Sequence, residues 1–348
     1  MQDFGLDFRL ALLGFGNAGQ AFAALLEEKR DEIRATYGRN VIITAIVTGS
    51  RGSIVNPDGI DTAEARRMLR EDGVFSPDFP GYCDKTAFDV ISSPCCDAVL
   101  ELTPLNIMSG QPAINHILEA FAAGKHVVSA NKGPVAWAHK KLKDIADKKG
   151  LKFYYETTVM DGTPIFNLAE KTLNLCRITE ISGILNSTTN YILDEMADGV
   201  PYDTIIENGR KRGFIEADSA MDIEGYDAAA KLTALLNVLA DADITPDDVD
   251  RTGIENITAE DVKNAESRGM VIRLVCRGKV GPDGEVTAEV APEEVPAGSM
   301  LACVRGTTSL VSLTTDLMGT ISIVEHNPEI EQTAYGIFSD VLRLLQEV

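Results

Sequence analysis

The stretch Leu10-Ala11-Leu12-Leu13-Gly14-Phe15-Gly16-Asn17-Ala18-Gly19-Gln20-Ala21-Phe22 decides the fold. An apolar run from Phe8 to Leu13 enters the pattern G-x-G-x-x-G, and from Ala18 to Tyr37 the apolar residues Phe22, Leu25, Leu26 and Ile33 recur at helical spacing. The reading is strand, tight turn, helix. In that context Gly14 permits the turn, Gly16 lets a pyrophosphate approach the backbone, and Gly19 lets the helix pack closely. The helix N-terminus turns positive potential towards the phosphates. Residues Gly14, Phe15, Gly16, Asn17, Ala18 and Gly19 are therefore predicted to bind a dinucleotide.

Working outward, Val41 to Thr48, Asp97 to Leu102 and His126 to Ser129 read as further buried strands, separated by helical stretches at Thr62 to Arg70 and Pro112 to Ala123. Strands alternating with helices predict an α/β domain with a Rossmann-type doubly wound parallel sheet over residues 1–150. Its second strand ends in Thr48-Gly49-Ser50-Arg51, where an NAD-selective protein usually places an acid on the ribose hydroxyls. No acid is there, and Arg51 with Ser50 could receive the 2′-phosphate of NADP, so NADP and NAD both stay open. Thr103 follows the strand that ends in Glu101-Leu102, at the carboxyl end where such sheets place their ligand crevice.

After Leu151 to Glu156, another strand, the pattern changes. Cys176 to Leu185, Met270 to Val280 and Glu285 to Val290 predict a second sheet, with helices at Thr188 to Ala197, Tyr202 to Lys211 and Gly225 to Ala240. A second α/β domain over 151–327 follows. The last stretch opens with Asn327 as a cap and Pro328 in the first turn, and its apolar face Ile330, Ala334, Ile337, Val341 and Leu345 predicts a helix, 328–348, packed back on the first domain.

A net charge of −21 repels phosphate backbones, so nucleic acid is not an expected partner. The longest apolar stretch, Leu232 to Ala240, falls far short of the roughly 20 residues of a membrane span. Met1 to Phe8 carries acids and no basic cluster, so no export signal is read and a cytoplasmic location is expected. The six cysteines lack the paired spacing of a zinc site and are read as reduced.

The segment from Gly213 to Lys231 is unusual in its own right. Glu216, Asp218, Asp222, Glu224 and Asp227 crowd a short loop, and the helix after it, Ala228 to Ala240, has Lys231 as its only charge. Asp227 and Lys231 stand four apart on one helix face in the favourable acid-before-base order. Burial beside so apolar a face is expected to depress the lysine pKa towards the range useful for proton transfer.

Together with Glu101-Leu102-Thr103-Pro104, the run Lys125 to Pro134 and Gly183 to Leu193, this segment resembles the homoserine dehydrogenase family over about nine tenths of the chain. The resemblance implies NAD(P)-dependent interconversion of L-homoserine and L-aspartate 4-semialdehyde, in the biosynthesis of threonine, methionine and isoleucine. It assigns Glu216 and Asp227 to the substrate's amino end, with Gly213 and Asp222 lining the same pocket. Lys231 matches the lysine of proton transfer and Lys132 a second active-site lysine beside the nicotinamide; which of them carries the proton stays open. It further implies a homodimer joined through the second domain, and a structural monovalent cation, sodium, at the turn of Glu156, Val159, Asp161 and Thr163, held largely by backbone carbonyls. The glycine-rich turn of many family members before the last helix is absent from Glu325-His326-Asn327-Pro328-Glu329, so the resemblance does not reach cofactor contacts there. With the chain ending at Val348, a C-terminal amino-acid-sensing domain is not expected. A dinucleotide sensor without turnover and another aspartate-pathway reductase are the competing readings; the first has no use for the lysine–acid constellation, and the second needs an activated cysteine that no motif here supplies.

Overall fold

A computed structural model describes residues 7–212, 215 and 219–348, and they fall into two compact units, 1–164 with 329–348, and 165–328. The first unit holds a seven-stranded sheet in the order β4-β3-β2-β1-β5-β6-β7. Its strands are β1 (Asp7–Leu13), β2 (Asn40–Val47), β3 (Ser53–Val55), β4 (Tyr82–Cys83), β5 (Ala98–Glu101), β6 (His126–Ser129) and β7 (Phe153–Tyr154). β2, β1, β5, β6 and β7 run parallel, while β3 and β4 add an antiparallel edge. The chain builds outward from β1 through β2, then returns to the other side of β1 with β5. The strand order therefore reverses between β1 and β5, and a crevice opens at their carboxyl ends.

The sequence explains this unit's core. Leu10, Leu12, Ile43, Ile46 and Leu100 lie fully buried or nearly so between helix layers, as the near-continuous apolar runs of a parallel sheet require. Phe22, Ala23 and Leu26 bury one stripe of helix Asn17–Glu28, and each large side chain so placed contributes roughly 1.5–3 kcal/mol. Helix Ile330–Glu347 packs on that helix and buries Ala334, Ile337, Val341 and Leu345, whereas Ile330 stays exposed. Its cap is Glu329, in a capping box with Gln332, not Asn327, so Pro328 lies outside the first turn.

Three expectations need revision here. The first unit runs on to Pro164 rather than ending at 150, because β7 pairs with β6 and the turn after it is gripped by the C-terminal helix. The stretch Ala18 to Tyr37 is two helices, Asn17–Glu28 and Arg30–Tyr37, since the charged run Glu27 to Glu32 offers no apolar stripe to keep one in register. Helix Lys132–Lys149 escaped the strand reading around it; Pro134 is tolerated in its first turn, and Val135, His139, Leu142 and Ala146 form its buried stripe.

The second unit is a six-stranded sheet in the order β13-β12-β8-β10-β11-β9, built from β8 (Ile178–Ile184), β9 (Asp250–Arg251), β10 (Met270–Val280), β11 (Val286–Pro296), β12 (Ser309–Thr315) and β13 (Gly319–Glu325). All its neighbours pair antiparallel except β11 with β9. β11 runs six residues beyond the stretch read from sequence, and the β12–β13 hairpin went unread, its exposed face being a ladder of serine and threonine rather than an apolar alternation. Helices Ser187–Ala197 and Tyr226–Ala240 pack on this sheet and carry the chemistry described next.

Candidate active site

At the switch between β1 and β5 the glycine loop adopts the geometry its pattern requires. Gly14 has φ +98°, and a Cβ there would sit 2.3 Å from the Leu102 carbonyl oxygen, so no other residue fits between the strand ends. A Cβ on Gly19 would approach the Gly14 oxygen at 3.3 Å, the close helix approach expected of the third glycine. A Cβ on Gly16 would meet nothing within 4 Å, so the space above it is open to a ligand. Gly16 is also the N-cap of helix Asn17–Glu28 and brings no side-chain cap, leaving the first-turn N–H groups to an anion. Phe15 turns its ring into the core towards Phe75 and faces the crevice through its main chain.

The crevice is a cavity of about 1110 Å³, lined by residues 14–19, by Thr48 to Ser53, by Cys83 to Ala87 and by Leu102, Thr103, Pro104, Pro112 and His116. Its volume and open glycine floor fit a dinucleotide. Arg51 is exposed on its rim, its guanidinium without a partner among the described residues, in a turn tied by Thr48, whose hydroxyl accepts from the Arg51 N–H and donates to the Gly52 carbonyl. Cys83 to Ala87 and His116 were not foreseen. The former come from an aperiodic stretch between elements, and His116 reads as one more helix-face residue.

Beneath the β5 end of the crevice lies a buried polar chain. Glu101, fully buried, accepts from the Thr103 N–H at 2.9 Å and from the Thr103 hydroxyl, and its other oxygen lies 2.8 Å from His116 Nδ1. Asn131 Nδ2 donates to the Thr103 carbonyl at 3.1 Å, while Asn131 Oδ1 caps helix Lys132–Lys149 by accepting from the Gly133 N–H. Lys132, half-buried, is the first residue of that helix.

In the second unit, helix Ser187–Ala197 starts at Asn186, whose buried amide is fully used. Its Oδ1 accepts from the Thr189 N–H and hydroxyl, and its Nδ2 donates to Asp222 Oδ1 at 2.6 Å and to Asp227 Oδ2 at 3.0 Å. Lys231 Nζ lies 3.0 Å from Asp227 Oδ2 and donates to the Leu185 carbonyl at 2.8 Å. The structure thus brings Asp222, Asp227 and Lys231 together around the amide of Asn186, a residue of the run Gly183 to Leu193. Burial, then the neighbouring Asp227 charge, raises the Asp222 pKa, with Asn186 and Lys231 opposing. Lys231 does not face apolar surroundings alone, as its helix suggested, but has the Asp227 carboxylate at 3.0 Å. Cys276 of β10 faces this cluster, and burial pushes its thiol up to about 12. Gly213, Glu216 and Asp218 lie outside the described residues.

A family model described as homoserine dehydrogenase matches residues 164–342. The homoserine dehydrogenase of Methanocaldococcus jannaschii is 36% identical over 96% of this chain and 98% of that protein. The chain belongs to the homoserine dehydrogenase family. Another relative, the NAD(+)-dependent homoserine dehydrogenase of Pseudomonas canavaninivorans, is 32% identical over 98% of this chain and 97% of its own length. The crystal structure of a homoserine dehydrogenase from Thiobacillus denitrificans superposes with a TM-score of 0.82 at 29% identity, covering 98% of this chain and 74% of that one.

The turn at residues 156–163, where the sequence resemblance led to the expectation of a cation, is well defined. Glu156 is 2% exposed and its N–H donates to Asp340; Met160 and Asp161 have positive φ; the Thr163 N–H closes the turn on the Met160 carbonyl. Asp161 Oδ1 accepts from the Thr333 hydroxyl, so that oxygen holds the turn to the C-terminal helix. Hard cations take oxygen ligands, and a turn of this kind can offer main-chain carbonyls. Among the described residues no group of three or more His, Cys, Asp or Glu side chains converges as a metal site, and no helix is long and apolar enough to cross a membrane.

Proposed function

We propose that this chain catalyses the NAD(P)-dependent interconversion of L-homoserine and L-aspartate 4-semialdehyde, the second unit binding the amino acid and the first the cofactor. The observation that carries this reading is the cluster of Asp222, Asp227 and Lys231 around Asn186 in a member of this family. Two carboxylates suit the substrate's ammonium, and a lysine beside them suits the hydroxyl proton. Bound NAD(P) supplies the hydride acceptor or donor. Lys231, held as an ammonium by Asp227 and the Leu185 carbonyl, is an acid ready to protonate the alkoxide oxygen when the aldehyde is reduced; in the oxidative direction it must first release that proton. Gly213 and Glu216 complete the amino-acid site in this reading, and Lys132, with Thr103, the nicotinamide side.

Arg51 at the crevice rim, without an acid in the preceding strand end, supports NADP over NAD. A homodimer through the second unit belongs to the same proposal, supported by the resemblance, by the frequency of cyclic dimers, and by an accessible sheet face at Ser182, Ser312 and Ser322. A monovalent cation at the turn 156–163 and a cytoplasmic setting, consistent with six free cysteines, complete it. The test is direct: purified protein, homoserine and each cofactor, followed at the absorbance band of the reduced nicotinamide. Turnover with homoserine is expected, and its absence with both cofactors refutes the assignment. Arg51→Ala should weaken NADP more than NAD by about 1–3 kcal/mol, the scale of a lost charge-assisted bond; equal loss for both removes Arg51 from cofactor choice.

A further inference from the structure

His116 lines the cofactor crevice 5% exposed, with Nδ1 committed to the buried Glu101 carboxylate at 2.8 Å and Nε2 without a partner among the described residues. The Phe88 ring stands edge-on to the imidazole at 5.2 Å, which, with the Glu101 bond, limits its rotation. The same carboxylate holds the Thr103 N–H and hydroxyl, and Thr103 in turn receives the Asn131 amide that caps the helix starting at Lys132. One fully buried carboxyl group therefore fixes an imidazole, a threonine and, through one further side chain, a helix start. A carboxylate with no exposure is costly unless its oxygens are satisfied, and this one is satisfied only by groups at one end of the crevice.

The location of that end follows from the sheet. The glycine loop at β1 takes the pyrophosphate, and the end of β2, with Arg51, faces the adenosine ribose. The other half of a dinucleotide then lies over the end of β5, where Thr103 and His116 stand. We propose that Glu101 and His116 form a positioning pair for the nicotinamide half of the cofactor, Glu101 orienting the imidazole and His116 Nε2 meeting a hydroxyl or amide of that half. The inference rests on the dinucleotide reading of the crevice and adds to it two residues assigned no role. With Nδ1–H donating to the carboxylate, the neutral imidazole offers Nε2 as an acceptor to the ribose hydroxyls or the carboxamide N–H2, and the imidazolium offers it as a donor to the hydroxyl or carboxamide oxygens. Glu101 touches neither cofactor nor substrate in this scheme; it acts through His116 and Thr103.

The test compares whole and half ligands on the full-length protein. Dissociation constants for NADP, NAD and ADP are measured for wild type, Glu101→Gln and His116→Phe; quenching of Trp137, the only tryptophan, follows the dinucleotides and calorimetry follows ADP. ADP reads the adenosine half alone. Both variants should bind the preferred dinucleotide about tenfold more weakly, the scale of one hydrogen bond to a ligand, and ADP within about twofold of wild type. The deuterium isotope effect on turnover with 4-deuterated reduced cofactor should rise in both, since a misplaced nicotinamide slows hydride transfer, and a purely structural role does not move that quantity. Should Glu101→Gln not fold, His116→Phe, which keeps the buried carboxylate and its Thr103 bonds, carries the test alone. Wild-type dinucleotide binding in His116→Phe, or equal loss of ADP and dinucleotide, overturns the proposal. A wild-type chain that takes up neither dinucleotide overturns the crevice reading and this inference with it.

Discussion

Lys231 and Asp227 were legible as a pair because four residues on a helix place them on one face, and they meet at 3.0 Å. What spacing could not give was the third partner. Asn186 lies 41 residues upstream of Asp227, and only the packing of two helices on one sheet brings its amide between the carboxylates. The roles of these residues separate by how they fail. Lys231→Met should lower kcat by about 10² to 10⁴, the usual span for losing a general acid or base, with a smaller change in KM. Asp227→Asn should act mainly on KM for homoserine. If Lys231→Met keeps more than about a tenth of wild-type turnover, the proton belongs to Lys132 or a water instead. The pH dependence has a definite sign. Asp222 has its pKa raised, by burial first and the Asp227 charge second, so it is neutralised as pH falls through a value above the ordinary carboxylate figure of about 3.9. The acid limb of kcat/KM for homoserine should therefore lie above that figure and shift downward in Asp227→Asn; an acid limb that ignores the substitution removes Asp222 from the site. Cys276, with its thiol pushed up to about 12, stays neutral and adds nothing to that profile.

At the scale of elements, the glycine-loop strand, its turn and the start of its helix were read to within a residue, because Gly14 and Gly19 answer steric demands of the strand ends and the helix approach, whereas the helix end at Glu28 was missed. Elements defined by long-range contact were read less well: the β12–β13 hairpin has a hydroxyl face, and helix Lys132–Lys149 begins inside a motif whose signal is chemical rather than periodic. The C-terminal helix joins these two cases. Its apolar face was legible, but not the partner that grips it, which is the turn after β7. There a Cβ on Gly162 would lie 2.2 Å from the Gln332 carbonyl oxygen, and one on Gly336 would lie 2.8 Å from Thr157 Cβ and 3.0 Å from the Asp161 carbonyl oxygen. Both glycines exist so that two backbones can touch. Gly336→Ala gains helix propensity of about 1 kcal/mol, yet the contact forces the turn away, an overpacking cost of about 1–3 kcal/mol. The net expectation is a lower Tm and a lower denaturation midpoint. A more stable Gly336→Ala protein would show that the turn yields freely and that propensity wins.

For the whole molecule, the number that matters is the charge of −21, from 53 acidic and 32 basic side chains. Composition alone reveals this excess, but not how it is distributed. In the structure many of the bases are already used: Arg9 with Asp97, Arg66 with Glu27, Arg67 with Glu64 and Glu71, Lys143 with Asp147, Arg277 with Glu293. Most of these pairs are solvent-exposed or nearly so, each worth about 0.2–1 kcal/mol and weakened by salt. Acids outnumber bases by 21 whatever the pairing, and the sequence concentrates them locally, with five aspartates within the ten residues from Asp241 to Asp250. Two effects then compete as ionic strength rises. Screening weakens the exposed pairs, but it also relieves the repulsion among the surplus acids, whose range shrinks from about 10 Å at 0.1 M to about 3 Å at 1 M. Because the exposed pairs are each worth little while the net charge of −21 repels throughout, relief should outweigh loss. The Tm is expected to rise by several degrees between 0.05 and 1 M potassium chloride, a salt chosen because sulfate would strengthen burial by exclusion in any protein. The rise should shrink as pH falls towards the sequence pI of about 4.6, where the carboxylates lose their charge. A Tm that falls with chloride, or a rise that does not shrink as pH falls, would mean that the net charge is not what limits this fold.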